Sequence, residues 1–448
     1  MDANAKICLI GDIVTDVTLK GASSEEYKVR LGGIVHAARG LWAIGVPYTV
    51  AYFAPDYLDK EIHNYLSRHG CSAVYKIGSV TGAPYVFLIE EVKEAGHQGY
   101  QFLLRDQIKV HFDETTWNEN IVGGDFTDYI FVSGNYDIAA AISWLSEEAK
   151  IHIDLANNVE DLHMFEIMNR RLSTIFLSTS STLFQTNFVE SFRSFAKPFE
   201  RYAKQLILKE NRGGSRGIDF LSDEVVSVPA QTQPIMHSVG VGDVYNSTFV
   251  FQHSSGTLKE AMTYASWIAT EYALTTFPDD FAKSALRTLA TKAEDLISLG
   301  GVSLPWEARK SINIYIAAPD FDFVNVEPID KLFHSLRYHN FNPRRPVQEN
   351  GQMEKNALTT RKQELYCKDM VLLDECLILV AVLLYNDPGT LIEIGLAAAQ
   401  GKPTIVYDPY QIAENCMLTQ LPTLVSSDLD EVISEVFIQS SKLKTNEQ

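Results

Sequence analysis

Near the end of the chain a carboxylate pair stands in Asp387-Pro388-Gly389-Thr390-Leu391-Ile392-Glu393, followed by Ile394-Gly395. The apolar run before it suits a buried strand and the run after it a helix. Its polar side chains therefore gather at the carboxyl edge of a parallel sheet, where open α/β folds bind ligands. Two carboxyl groups there can divide the work on a ring carbon that gains positive charge. One, ionised, attacks or stabilises the carbon; the other, with a raised pKa, moves a proton. A second constellation, Gly240-Val241-Gly242-Asp243, precedes the helical pattern Val244–Gln252. Glycines let backbone approach an anion, a helix N-terminus offers free N–H groups, and an aspartate there can take a proton from a hydroxyl, which together meet the needs of phosphoryl transfer to an alcohol. Each has a plainer interpretation too. Thr390-x-x-Glu393 fits a capping box, Asp-Pro-Gly a turn, and Gly-x-Gly-Asp a capped glycine turn.

The elements that must position these residues follow from apolar periodicity. Short runs rich in β-branched residues, Ile7–Ile10, Tyr48–Phe53, Tyr129–Val132, Ile151–Ile153, Thr174–Leu177 and Gln205–Leu208, alternate with longer helical patterns. That alternation predicts βαβ units and a parallel sheet covered on both faces. Thr15–Leu31 and Tyr85–Val110 instead alternate polar and apolar residues, as half-exposed strands of a small lid sheet would. After the helical stretch Phe281–Leu299, the cluster Gly300, Gly301 and Pro305 marks a linker, with a domain boundary near Leu304–Lys310. A second series begins with strand Ile312–Ala317 and a helix near Pro328–His339. It continues with a helix near Ala357–Leu373, strand Leu377–Leu384, helix Leu391–Gln400, strand Thr404–Tyr407 and a last helix near Leu429–Ile438. The fold class is α/β in two domains, residues 1–304 and 311–438, with a flexible polar tail over 439–448.

The totals bound the function. At 448 residues the chain exceeds one ordinary core, and 46% apolar with 21% charged residues is the composition of a globular protein. A formal charge of -19 disfavours nucleic acid and anionic membranes as partners. The five cysteines are scattered, with no CxxC spacing, so neither a disulfide framework nor a zinc site is expected and a reducing cytoplasm fits. No apolar run approaches the roughly 20 residues needed to cross a bilayer.

The C-terminal motif, together with Ile314-Tyr315-Ile316-Ala317-Ala318-Pro319 and Gly401-Lys402-Pro403, resembles the nucleoside 2-deoxyribosyltransferases over about residues 311–437. The resemblance implies a smaller flavodoxin- or Rossmann-like domain that breaks or exchanges N-glycosidic bonds and needs no cofactor. It makes Glu393 the attacking carboxylate, with Asp387 beside it as proton donor and Asp374 touching the base. Tyr315 would hold the nucleophile by its hydroxyl, and Pro319, Gly389 and Thr390 would line the substrate. The pair Arg344 and Arg345 fits either a phosphate site or an exposed loop.

Gly11-Asp12 ending the first strand, Asp16, Gly32-Gly33 before the helix His36–Ile44, the lid strands and Gly240–Asp243 resemble the ribokinase-like (PfkB) carbohydrate and nucleoside kinases over about residues 5–300. The resemblance implies a ribokinase-like parallel sheet with a small β lid. ATP and magnesium would be the cofactors and Asp243 the catalytic base, with Gly240, Val241 and Gly242 at the anion hole and Asp12, Asp16, Gly32 and Gly33 at substrate hydroxyls. His36 stands where that family usually has Asn, and His237 where an Asp often opens the anion-hole motif. The family's Asn-x-x-Glu, which organises magnesium and phosphate, fits Asn187-Phe188-Val189-Glu190, but these lie well past the strand Thr174–Leu177; a register that puts Ser178 there loses the motif.

Two functions follow. One is an enzyme of nucleoside or nucleotide metabolism that cleaves or transfers a glycosyl group in one domain and phosphorylates a sugar or nucleoside in the other. The second is a regulated effector, as in antiviral defence, whose kinase-like domain only senses a small ligand while the other depletes NAD or a nucleotide pool. In both the partner is a small-molecule nucleoside or nucleotide, and both resemblances imply a homo-oligomer.

Overall fold

The computed structural model describes residues 6–19, 28–155, 159–354 and 356–446. The chain divides into two compact units, the first spanning residues 1–93 and 98–303, the second residues 94–97 and 304–448. No helix among the described residues is long and apolar enough to cross a membrane.

The first unit is organised by a ten-stranded sheet. Its parallel body runs, in spatial order, Ala203–Lys209, Leu172–Ser178, Lys150–Asp154, Asp128–Val132, Ile7–Asp12, Tyr48–Ala54 and Cys71–Thr81. The antiparallel strands Ser215–Asp219 and Glu224–Val228 extend one edge and Lys109–Phe112 the other. Every residue of Ile7–Asp12 and of Tyr48–Ala54 is buried, as continuous apolar runs covered on both faces must be. The alternating segments form a separate four-stranded sheet, in the order Lys28–Leu31, Thr15–Thr18, Val86–Ile89 and Gln101–Phe102. Residues 20–27 of the first segment lie outside those described. Lys109–Phe112, at the end of the second, joins the main sheet instead.

The second unit carries five parallel strands in the order Asn342–Arg344, Asn313–Ala317, Ile378–Val382, Thr404–Tyr407 and Leu424–Ser426. Numbered along the chain this is the 2-1-3-4-5 arrangement of flavodoxin-like sheets, which reverses direction between the first and third strands and opens a crevice outside their carboxyl ends. The outer strands Asn342–Arg344 and Leu424–Ser426 escaped the sequence pattern because three residues are too few to declare a period. The last helix runs over Leu429–Asn446. The tail expected from residue 439 is, as far as Asn446, the end of this helix, because Val436, Phe437 and Ser440 keep one face fully buried.

Candidate functional site

In the second unit, strand Asn313–Ala317 delivers Tyr315 and the helix Pro388–Ala399 delivers Glu393. They meet: Tyr315 Oη donates to Glu393 Oε1 at 2.7 Å. The helix is capped by Asp387, whose Oδ2 accepts from Thr390 N at 2.8 Å and from Thr390 Oγ1 at 3.0 Å. Glu393 is therefore not the return arm of a capping box. It lies in the second turn, turned toward the buried phenol. Burial is the main reason its carboxyl is raised to about 7; the Tyr315 hydrogen bond works against the shift, while Asp369 and Asp387 add to it.

The structure does not bring all the expected residues here. Thr390 is buried and holds Asp387, and a methyl on Gly389 would sit 3.0 Å from Asp387 Oδ2. Pro319 follows the Tyr315 strand at the same sheet edge. Asp387, expected as proton donor, has one oxygen committed to the helix terminus. Asp374 is a correction. It stands before Ile378–Val382, at the amino edge of the sheet, exposed and accepting from Gln400 Nε2 at 2.8 Å, with a full strand length between it and the crevice. Besides Asp387, the acid that reaches Glu393 electrostatically is Asp369, five residues before Asp374 on the same helix, Thr359–Glu375, which runs back toward the carboxyl edge. Asp369 accepts from Asn350 Nδ2 at 2.8 Å, and burial raises its carboxyl above the ordinary value. Arg344 and Arg345 hold no open anion site. Arg344 is spent on Glu349 and Glu375, and Arg345, 5% exposed, pairs with Asp320 and Asp330.

In the first unit a cavity of about 370 Å³ is lined by Asp12, Asp16, Gly33, Gly240, Gly242 and Asp243. Phe87 and Phe102 of the lid sheet, with Tyr100 and Arg105 beside it, line the same cavity. Asp12 ends its strand with Oδ2 accepting from the backbone N–H of Asn135 at 2.9 Å, while Oδ1 is buried without a hydrogen bond. Burial pushes its carboxyl up to about 6. Gly32 and Gly33 are steric requirements, since a Cβ at Gly32 would collide with the Asp16 carboxyl and one at Gly33, φ +66°, with the Asp12 carbonyl.

Asp16 is held from behind. Arg39 Nη1, which can only donate, lies 3.3 Å from His36 Nδ1, so Nδ1 accepts and the Nε2 proton points to Asp16 Oδ2 at 3.1 Å. Burial keeps His36 neutral, its pKa lowered to about 4. His237 is likewise depressed to about 4 by burial and lies 3.1 Å from the Thr275 carbonyl, its hydrogen-bond acceptor.

Gly240, φ +76°, opens the helix Val241–His253 with no side-chain cap. Val241 packs against the core, whereas Gly242 and Asp243 face the cavity. Asp243 is raised to about 7, chiefly by burial and then by Asp154, with Lys209 pulling the other way. Asp154 and Lys209 close their strands, and neither was singled out from sequence. Lys209 Nζ donates to Asp154 Oδ2 at 3.3 Å and to Asn246 Oδ1 at 3.1 Å, and Asn246 Nδ2 donates to Asp154 Oδ2 at 2.6 Å. The usable signal was a charged residue ending each apolar run. Asn187 and Glu190 are the second correction. The strand ends at Ser178, and both residues are exposed at or beyond the far end of helix Thr182–Asn187, where Asn187 Nδ2 bonds its own helix at Leu183 O. They do not fit the magnesium role.

The two folds define a ribokinase-like α/β unit joined to a unit of the nucleoside 2-deoxyribosyltransferase type. Residues 314–427 match the family model "Nucleoside 2-deoxyribosyltransferase". Over the N-terminal part the chain is similar to a putative Ribokinase II from E. coli in its apo form, at 13% identity and TM-score 0.50, covering 64% of this chain and 99% of that one. It is also similar to a putative Ribokinase II from E. coli in complex with ATP and Mg2+, at 15% identity and TM-score 0.50, covering 66% of this chain and 99% of that one. At such identities the likeness concerns the fold. No curated protein matches the sequence.

Proposed function

We propose that the C-terminal unit breaks the N-glycosidic bond of a nucleoside or nucleotide, with Glu393 as nucleophile. The observation that carries this is the 2.7 Å bond from Tyr315 to Glu393 at the switch point of a 2-1-3-4-5 sheet. Ionised Glu393 attacks the anomeric carbon, the bond from that carbon to the base nitrogen breaks, and its electron pair leaves with the base. Asp369, whose carboxyl burial raises above its ordinary value, is the proposed donor of the departing nitrogen's proton. Water or a second base then attacks the glycosyl ester, returning a proton to Asp369 and releasing Glu393. Tyr315 orients the carboxylate and gives up its hydrogen bond as the ester forms. A partner copy is proposed to cover Ile392 and Tyr385, which are 62% and 40% exposed.

The test incubates purified protein with nucleosides, nucleotides and NAD and separates the products. Free base released by wild type and reduced at least about a thousandfold in Glu393→Ala is expected. Release that persists in the variant removes the proposal.

For the N-terminal unit, the remoteness of Asn187 and Glu190 supports ligand binding over phosphorylation, and with it the sensor-effector reading. A kinase would instead need ATP and magnesium, with Asp243 as base. The same panel with ATP and magnesium separates the two, because a kinase yields a phosphorylated product that Asp243→Asn loses.

A further inference from the structure

We propose that the N-terminal cavity takes a hydroxylated ring that already carries a phosphomonoester, and that Lys209, rather than a divalent cation, neutralises the phosphate. This rests on the reading of the N-terminal unit as a binding site and adds the class of ligand. The cavity has two chemically different regions. One holds Asp12, a residue nine-tenths buried whose Oδ1 has no hydrogen bond, with the Tyr85 hydroxyl, also buried and unbonded, as its neighbour. A buried acceptor left so costs roughly 1–3 kcal/mol, and a ligand hydroxyl would satisfy it. Asp16, fixed by His36, offers a second acceptor. This region asks for donors, as on the ring of a sugar or nucleoside.

The other region is the uncapped start of helix Val241–His253, whose first N–H groups have no side-chain acceptor. A methyl built on Gly242 would sit 3.1 Å from Lys209 Nζ, so the ammonium stands beside those N–H groups. Two of its three protons go to Asp154 and Asn246, which leaves the third for a ligand. Asp154, which lines the cavity, already accepts from Lys209 and Asn246. Asn187 and Glu190 are remote, and among the described residues no three His, Cys, Asp or Glu side chains gather to hold a metal ion, so an internal cation fills the divalent role. Asp243, part-protonated at neutral pH, then donates to a phosphate oxygen instead of repelling it. Phe87, Tyr100 and Phe102 give the cavity an aromatic wall suited to a base, which a sugar phosphate would leave uncovered.

Calorimetric titration of the full-length protein tests this. AMP, GMP, CMP, UMP and ribose 5-phosphate are each compared with their unphosphorylated counterpart, in EDTA and then in excess magnesium. At least one phosphate ester is expected to bind about tenfold or more tighter than its counterpart in EDTA. Lys209→Met is expected to erase that preference and Lys209→Arg to keep most of it. Dependence on Lys209 assigns the signal to this unit, and the preferred ester tells nucleotide from sugar phosphate. If Lys209→Met does not fold, Gly242→Ala, which crowds the ammonium, should weaken the same preference. Binding of nucleosides or ribose with no gain from phosphate, a gain seen only with magnesium, or a gain that survives Lys209→Met overturns the inference and leaves the binding reading in place. No binding of any probe overturns both.

Discussion

Both units place a carboxyl group at the carboxyl ends of parallel strands, and burial lifts both to the same range, Asp243 and Glu393 each to about 7. Their neighbours differ. Asp243 sits near an ammonium, Lys209, tied to a second carboxylate and an amide, whereas Glu393 faces a neutral phenol and a second acid, Asp369. A fixed cation readies a site for an incoming anion. A neutral donor orients a carboxylate without cancelling the charge it needs to attack carbon. The same shift therefore suits two tasks, and the companion of the acid tells them apart.

That contrast can be broken in order of expected effect. Apart from loss of Glu393 itself, the largest change should follow Asp369→Asn, which removes the proton donor and lowers base release about a hundredfold, while Asp374→Asn, at the other sheet edge, leaves it near wild type. Equal effects of the two would undo the assignment. Next is pH. Glu393 must be ionised and Asp369 protonated, so release should climb as Glu393 loses its proton toward about 7 and turn down as Asp369 loses its own. Because the Tyr315 hydrogen bond lowers the Glu393 pKa, Tyr315→Phe should move the rising midpoint upward and cost about tenfold at neutral pH. A profile that stays put would deny the phenol its role. Smallest is stability. The folded-state pKa of Glu393 lies above its ordinary 4.5, so its contribution is complete below that value and is lost as pH rises through about 7. Glu393→Gln, permanently neutral, should gain up to the order of 3 kcal/mol near pH 8 and progressively less toward about pH 5, read as melting temperature. A gain that does not depend on pH would mean burial is not the cause of the shift.

Much of the architecture was legible because buried parallel strands leave a plain trace: Ile7–Ile10 and Tyr48–Phe53 are unbroken apolar runs, and the lid segments alternate. Tyr315 and Glu393 were legible for a related reason, each lying on or just past such a run. Asp369 was not, because its nearness to Glu393 depends on the direction of the helix Thr359–Glu375, and Asp374 beside the strand looked closer in sequence while lying at the wrong edge. Asn187 and Glu190 misled through spacing alone, since a match counts only if it begins where the strand stops, and the strand stops at Ser178. Asp154 and Lys209 were visible as types but not as partners, because nothing local says that the ends of two strands face one helix.

The imidazole of His36 fills the volume that any side chain at position 240 would need, and the carboxyl it steadies fills the volume at position 32. Residues 16, 32, 36 and 240 are thus an interlocked set. A library that randomises 32 or 240 alone should return only glycine, whereas shrinking residue 36 first would open position 240 and make the ligand preference of this unit evolvable.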